Sequence, residues 1–204
     1  MSQGTPNPSL HRTAAHSGFE VLIAGCAAGE LVRSASETTD GWSAGVSTRH
    51  PEKVIDALYA GNVQAVERYV DAGNINLVDA DGCTLLVRAV TAIDTNMRMV
   101  RMLLKRGADA SVRLREGTTL LHVAARALRK DLALALLRAG CDPNATNDHG
   151  QTALTFVLLA FAPRAELVEV LLDHGAGSSL RDRFGESAVE LAARTGRQGL
   201  FQDG

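Results

Sequence analysis

Aromatic side chains are scarce in this 204-residue chain, at 4 % of the total with one tryptophan, Trp42. Sandwiches and barrels draw on rings for their strands and cores, so the scarcity argues against both. The three cysteines, Cys26, Cys83 and Cys141, are too few and too far apart for a disulfide scaffold or a four-ligand zinc site. A reducing compartment is the simplest reading of that count. Charge of one sign is also lacking: 21 Lys and Arg stand against 23 Asp and Glu, a formal −2. There is no bulk positive field to hold nucleic acid or an anionic membrane by charge alone. The longest apolar run, Ala153 to Ala162, falls well short of the roughly 20 residues that cross a bilayer.

Recognisable cofactor and metal motifs are missing too. There is no G-x-x-x-x-G-K-[ST] loop, no G-x-G-x-x-G after a strand, and no pair of histidines at a ligand spacing such as i, i+4. No cofactor or metal is expected. Near the start, Val21 to Cys26 (VLIAGC) has the look of a lipoprotein cleavage box. Glu20 and His16 interrupt the apolar region, so a leader with no anchor is favoured and lipidation at Cys26 is the alternative. The expected location is cytoplasmic. Residues 1–48 read as a leader rich in Ser, Thr, Ala and Gly, with one interrupted apolar helix over 19–35.

What is present is a repeat. Gly82, Gly117, Gly150 and Gly185 each precede a short Thr- or Ser-led apolar stretch and lie 35, 33 and 35 residues apart. A second series, Gly73, Gly107, Gly140 and Gly175, closes apolar helical stretches at spacings of 34, 33 and 35. Two glycine series in phase at one period mark an array of helical hairpins. In each unit a Thr or Ser caps a first helix. A second helix ends at a glycine suited to the left-handed C′ position. A loop of about ten residues, rich in Asp, Asn and Gly, then leads on.

The best unit reads Gly117-Thr-Thr-Leu-Leu-His122-Val-Ala-Ala125, followed by Leu136-Leu137-Arg-Ala-Gly140-Cys-Asp142-Pro-Asn144-Ala. It resembles the ankyrin repeat pattern G-x-T-P-L-H-x-A-A … L-L-x-x-G-A-D-V-N-A. The resemblance runs over roughly 51–196 and implies an all-α solenoid of about four to five helical hairpins with incomplete terminal units. Residues 197–204 read as a short tail, within which Leu200 and Phe201 fold back as a partial cap, with an exposed apolar end that pairs with another chain as the alternative. The chain departs from the pattern in several places. Leu85, Leu120, Ala153 and Ala188 stand at the proline position, and only His122 keeps the histidine. Two units carry extra residues between their helices, around 93–96 and 161–163, with Pro163 suited to a first helical turn.

The resemblance implies non-enzymatic protein recognition on a concave face of loop tips and first helices. Carried onto this sequence, that face holds Asp81, Arg113, Arg115, Glu116, Arg126, Asp148, His149, Gln151, Arg181, Arg183, Phe184 and Arg194. Its six arginines suggest a protein partner with acidic groups and an apolar contact at Phe184. The resemblance implies that His122, with Thr119, bonds the turn of an adjacent unit and does not act as a base. Two rival functions are a thiol-dependent enzyme using Cys83 just before a helix start, and a nucleic-acid binder using the arginines. Cys83 is expected at the surface without a catalytic role. No nucleic acid is expected, since neither a lysine run nor interleaved rings support the arginines.

Overall fold

A computed structural model describes residues 52–201. Among the described residues nine α-helices follow one another: α1 (Glu52–Tyr59), α2 (Val63–Tyr69), α3 (Leu85–Thr91), α4 (Met97–Lys105), α5 (Leu120–Arg126), α6 (Lys130–Arg138), α7 (Ala153–Leu159), α8 (Ala165–Asp173) and α9 (Ala188–Arg194). Short 3₁₀ turns occupy Arg115–Gly117 and Gln198–Phe201. Among the described residues there is no strand, only isolated bridges such as Val78 to Thr84, Arg113 to Thr119 and Arg181 to Ser187. The expected leader, its helix, Trp42 and Cys26 lie outside these residues.

Local chemistry explains the boundaries. Thr84, Thr119, Thr152 and Ser187 each cap a first helix, their hydroxyl oxygens accepting the N–H three residues on. Asn62 and Asn96 cap α2 and α4. The α6 and α8 N-caps, Arg129 and Arg164, make no such bond. Asp131 and Glu166 in the first turn complement the helix dipole there instead. Gly107, Gly140 and Gly175 end their helices at φ +90°, +91° and +87°. Gly73 breaks the series. α2 stops at Tyr69, because the Asp71 carboxylate takes the N–H groups of Gly73 and Asn74 while Asn74 Oδ1 accepts from Asp71 N–H. Pro163 precedes the N-cap of α8 and so lies outside the helical turn expected for it.

First helices α1, α3, α5, α7 and α9 stack in one layer and second helices α2, α4, α6 and α8 in another. The core fills the space between the layers. Leu85, Leu120, Leu136, Leu154, Val157, Leu158 and Leu171 are all fully buried. Each such side chain contributes roughly 1.5–3 kcal/mol, and a lone hairpin has only one covered flank. At the C-terminal end the 3₁₀ turn packs against α8 and α9, with Leu200 and Phe201 half-buried on the core. The Arg197 guanidinium donates to the carbonyls of Leu158 and Phe161 at the end of α7. The last helix is thereby covered, as the partial cap required.

Consecutive loops meet at glycines. A Cβ on Gly150, which has φ +73°, stands 3.0 Å from Arg183 N and 3.1 Å from Asp182 Cα, whereas one on Gly107 meets nothing within 4 Å. Both positions carry the left-handed cost of roughly 1–2 kcal/mol for a non-glycine residue. Gly150→Ala is expected to destabilise the protein by at least about 1 kcal/mol more than Gly107→Ala, because backbone must also move. Urea unfolding of the two variants measures the difference, and equal losses contradict the loop contact.

Candidate partner-binding face

Four loops connect the hairpins, over 78–84, 113–119, 146–152 and 181–187. In three of them a carboxylate or amide near the base organises the turn. Asp79 Oδ1 accepts from Asp81 and Cys83 N–H, Asn147 Oδ1 from His149 and Gln151 N–H, and Asp182 Oδ1 from Phe184 and Glu186 N–H, all at 2.9–3.0 Å. In the second loop Leu114 occupies this place and has no acceptor to give. That loop closes through its 3₁₀ turn, with Glu116 at φ +56°, and through Arg113, whose Nη1 donates to Gly117 O at 3.0 Å and to Thr146 O at 2.8 Å.

The loops are also bonded to one another. Asp148 N–H donates to Glu116 O at 2.8 Å and Arg183 N–H to His149 O at 2.9 Å. Behind them, His122 reaches across the same joint. Its Nε2 lies 2.8 Å from Gln151 O, which can only accept, so the ring carries its proton there. Nδ1 then accepts from Thr119 N–H and Oγ1–H at 3.2 and 2.8 Å. The Phe156 ring meets the imidazole edge to face at 5.1 Å. Burial pushes the His122 pKa below the ordinary imidazole value; the Arg113 charge acts in the same direction and the Gln151 carbonyl opposes both. This histidine joins adjacent units, as the resemblance implied.

The structure brings the expected contact residues onto one row of loop tips and helix flanks, but most of the arginines already have partners there. Arg113 clamps two loops. Arg181 pairs through both nitrogens with Glu190 at 2.6 and 2.8 Å, and Arg194 pairs the same way with Glu186 at 2.7 and 2.9 Å. Arg126, on α5, has its guanidinium pKa lowered by burial. Asp81 pairs with Arg88, which also holds Asp79 at 2.6 Å. Burial works to raise the Asp79 carboxyl, but the Arg88 bond and the Cys83 N–H outweigh it and hold the group below the usual range. Gln151 is half-buried, with its amide oxygen 3.4 Å from Asn147 Nδ2.

Exposed groups with little internal engagement cluster at three tips. These are Arg115 and Glu116, Asp148 and His149, and Arg183 and Phe184. His149 Nε2 lies 3.9 Å from Glu116 Oε2, an ion pair when the ring is protonated. Phe184 is 81 % exposed. The sequence reading missed Ile93 and Phe161, both largely exposed on the lengthened connections between helices. Their signal was the pair of extra residues in those units.

Cys83 corrects an expectation. It is 2 % exposed, so it is neither a surface thiol nor an accessible nucleophile. Cys141 is free, half-buried against Ala110 O, with burial raising its pKa to about 11. Among the described residues no three His, Cys, Asp or Glu side chains gather as a metal site, and no helix is long and apolar enough to cross a membrane.

Stacked, capped hairpins joined by hydrogen-bonded loops define a helical repeat scaffold of the interaction type. The family model for ankyrin repeats (three copies) matches residues 54–147 and 121–202, and the chain belongs to the ankyrin repeat family. It is 36 % identical over 162 residues to the E3 ubiquitin-protein ligase KEG of Arabidopsis thaliana, covering 74 % of this chain and 9 % of that protein. It is 35 % identical over 143 residues to an ankyrin repeat-containing protein of Treponema pallidum, 69 % of this chain and 47 % of the other. Human protein phosphatase 1 regulatory subunit 27 is 31 % identical over 106 residues, 51 % of this chain and 69 % of the subunit. The chain thus spans less than half the length of the first two. Ankyrin arrays are generally non-enzymatic interaction modules, and protein–protein interaction is the function class of this chain.

Two measurements separate holding from contacting roles. Arg113→Ala removes two carbonyl bonds and is expected to lower stability by about 1–2 kcal/mol, while Arg115→Ala stays within about 0.5 kcal/mol of wild type. For His122, the unfolded ring takes up a proton near pH 6.5 and the folded ring only at lower pH. Stability is therefore complete above about pH 6.5 and falls below it, by no more than about 1.4 kcal/mol per pH unit from this group. In urea titrations His122→Gln is expected to flatten that fall; an unchanged slope shows that the ring does not carry it.

Proposed function

We propose that this protein is a rigid docking module whose loop-tip face engages a protein partner. Phe184 is the apolar anchor, and Arg183 and Arg115 meet acidic groups of the partner. The observation that carries this reading is the bonded row of tips, which presents Phe184 at 81 % exposure beside Arg183. Large exposed rings on rigid elements are favourable contact residues, because little ordering entropy is lost when they are covered. Arg181 and Arg194 are held by Glu190 and Glu186. They supply orientation, and the positive charge offered to a partner is smaller than six arginines imply. Glu116 and Asp148 give the centre of the face a mixed character suited to a protein more than to a polyanion. The name of the human relative, a phosphatase regulatory subunit, fits a non-catalytic role of this kind.

A photoreactive residue placed at Phe184 is expected to crosslink the partner, and one placed on the exposed Glu169 of α8 is not. Against the partner so identified, Phe184→Ala combined with Arg183→Glu is expected to weaken binding at least about 30-fold with helicity unchanged. Wild-type affinity for the double variant rejects this face.

A further inference from the structure

The outer side of the second helices carries a second surface, built unlike the loop face. Asp131, Leu134, Ala135 and Arg138 share one side of α6 at helical spacing. Two adjoining depressions of about 640 and 290 Å³ follow that side, and both are walled by Arg101 of α4 together with Ala135 and Arg138. Lys105 borders the smaller depression and Arg164 the larger. The half-buried Leu128, Leu134 and Leu104 give them an aliphatic lining. Leu128 sits at φ +52°, a conformation that L residues other than Asn and Asp adopt rarely. An apolar side chain is thus held at the groove despite its backbone cost.

Charge is unbalanced here. The carboxylates in the wall are engaged already, Asp131 with Arg129 at 3.1 Å and Glu166 with Lys130 at 3.1 Å. Arg101, Lys105, Arg138 and Arg164 are exposed and have no carboxylate partner among the described residues. In a chain of net charge −2 that is a local excess of four cations. Three of them are guanidinium forks matched to carboxylates. No aromatic ring lines the groove to stack a base, and its lining is aliphatic.

We propose that this groove between α4 and α6 is a second docking site, independent of the loop face, for an acidic protein segment bearing an aliphatic side chain. Carboxylates meet Arg101, Arg138 and Arg164, and the aliphatic group rests on Leu128 and Leu134.

The test uses the full chain and a fluorescein-labelled peptide of glutamates around a central leucine, followed by anisotropy. Saturable binding that weakens with added salt is expected. Arg101→Glu/Arg138→Glu/Arg164→Glu is expected to lose at least about tenfold in affinity, and Lys53→Glu/Arg68→Glu, exposed on α1 and α2, to retain it. If the triple variant loses helicity, Arg138→Glu alone and chemical-shift mapping on wild type replace it, with shifts expected on α4 and α6. Equal binding by wild type and the groove variant overturns the proposal. So does an equal loss in the α1–α2 variant. Tighter groove-dependent binding of oligothymidylate or phosphatidylserine vesicles than of the peptide overturns it as well.

Discussion

No hairpin in this chain can bury both of its apolar flanks alone. Leu120 and Leu136 are fully buried because α5 and α6 meet α3 and α4 on one side and α7 and α8 on the other. The other regularities follow from that dependence. Close stacking brings successive loops together, so glycine is needed where Gly117 and Gly150 approach the next backbone. The same closeness lets Asp148 reach Glu116 O and Arg183 reach His149 O. Where the stack ends, a further element must cover the exposed flank, and Leu200 and Phe201 supply it with Arg197 tying them to the end of α7.

Charged side chains at the loop bases serve this geometry first. Exposed ion pairs such as Arg181–Glu190 and Arg194–Glu186 are screened by solvent and add little to stability. Their effect is on orientation: each two-pronged pair ties a loop to the helix that follows it. Arg88 does the same in the first loop with Asp79 and Asp81. The array therefore consumes much of the charge on its inner face. On the outer face, Arg101, Arg138 and Arg164 are not needed for stacking or for loop closure.

This division explains which features could be read from the sequence. The repeat, the Thr and Ser caps and the bridging role of His122 were legible because each depends on spacing within one period or on a residue's fixed place in the pattern. The state of the arginines was not. Arg181 meets Glu190 nine positions on and Arg194 meets Glu186 eight positions back, across a loop-to-helix junction whose angle no linear pattern conveys. The two glutamates stand at ordinary capping and turn positions, so nothing in their local context marked them as arginine partners. Gly73 misled for a related reason. It keeps the period, but Asp71 and Asn74 build a competing turn before the helix can reach it. The outer groove was missed because its basic residues come from three helices or their caps, 37 and 26 residues apart in sequence.

The second loop shows how a local defect becomes a global property. With Leu114 in place of the usual Asp or Asn, this loop cannot satisfy its own N–H groups through a side chain at its base. Bonds from its neighbours hold it instead: Arg113 to Thr146 O, Asp148 N–H to Glu116 O, and His122 to Gln151 O. The third loop is in turn bonded to the fourth through His149 O. Three loop tips are thus one connected unit, in which the conformation of Glu116 depends on Asp148 and that of Arg183 on His149. For the docking proposed above, the surface from Arg115 to Phe184 is already formed, so the ordering cost of binding falls on the partner more than on this chain.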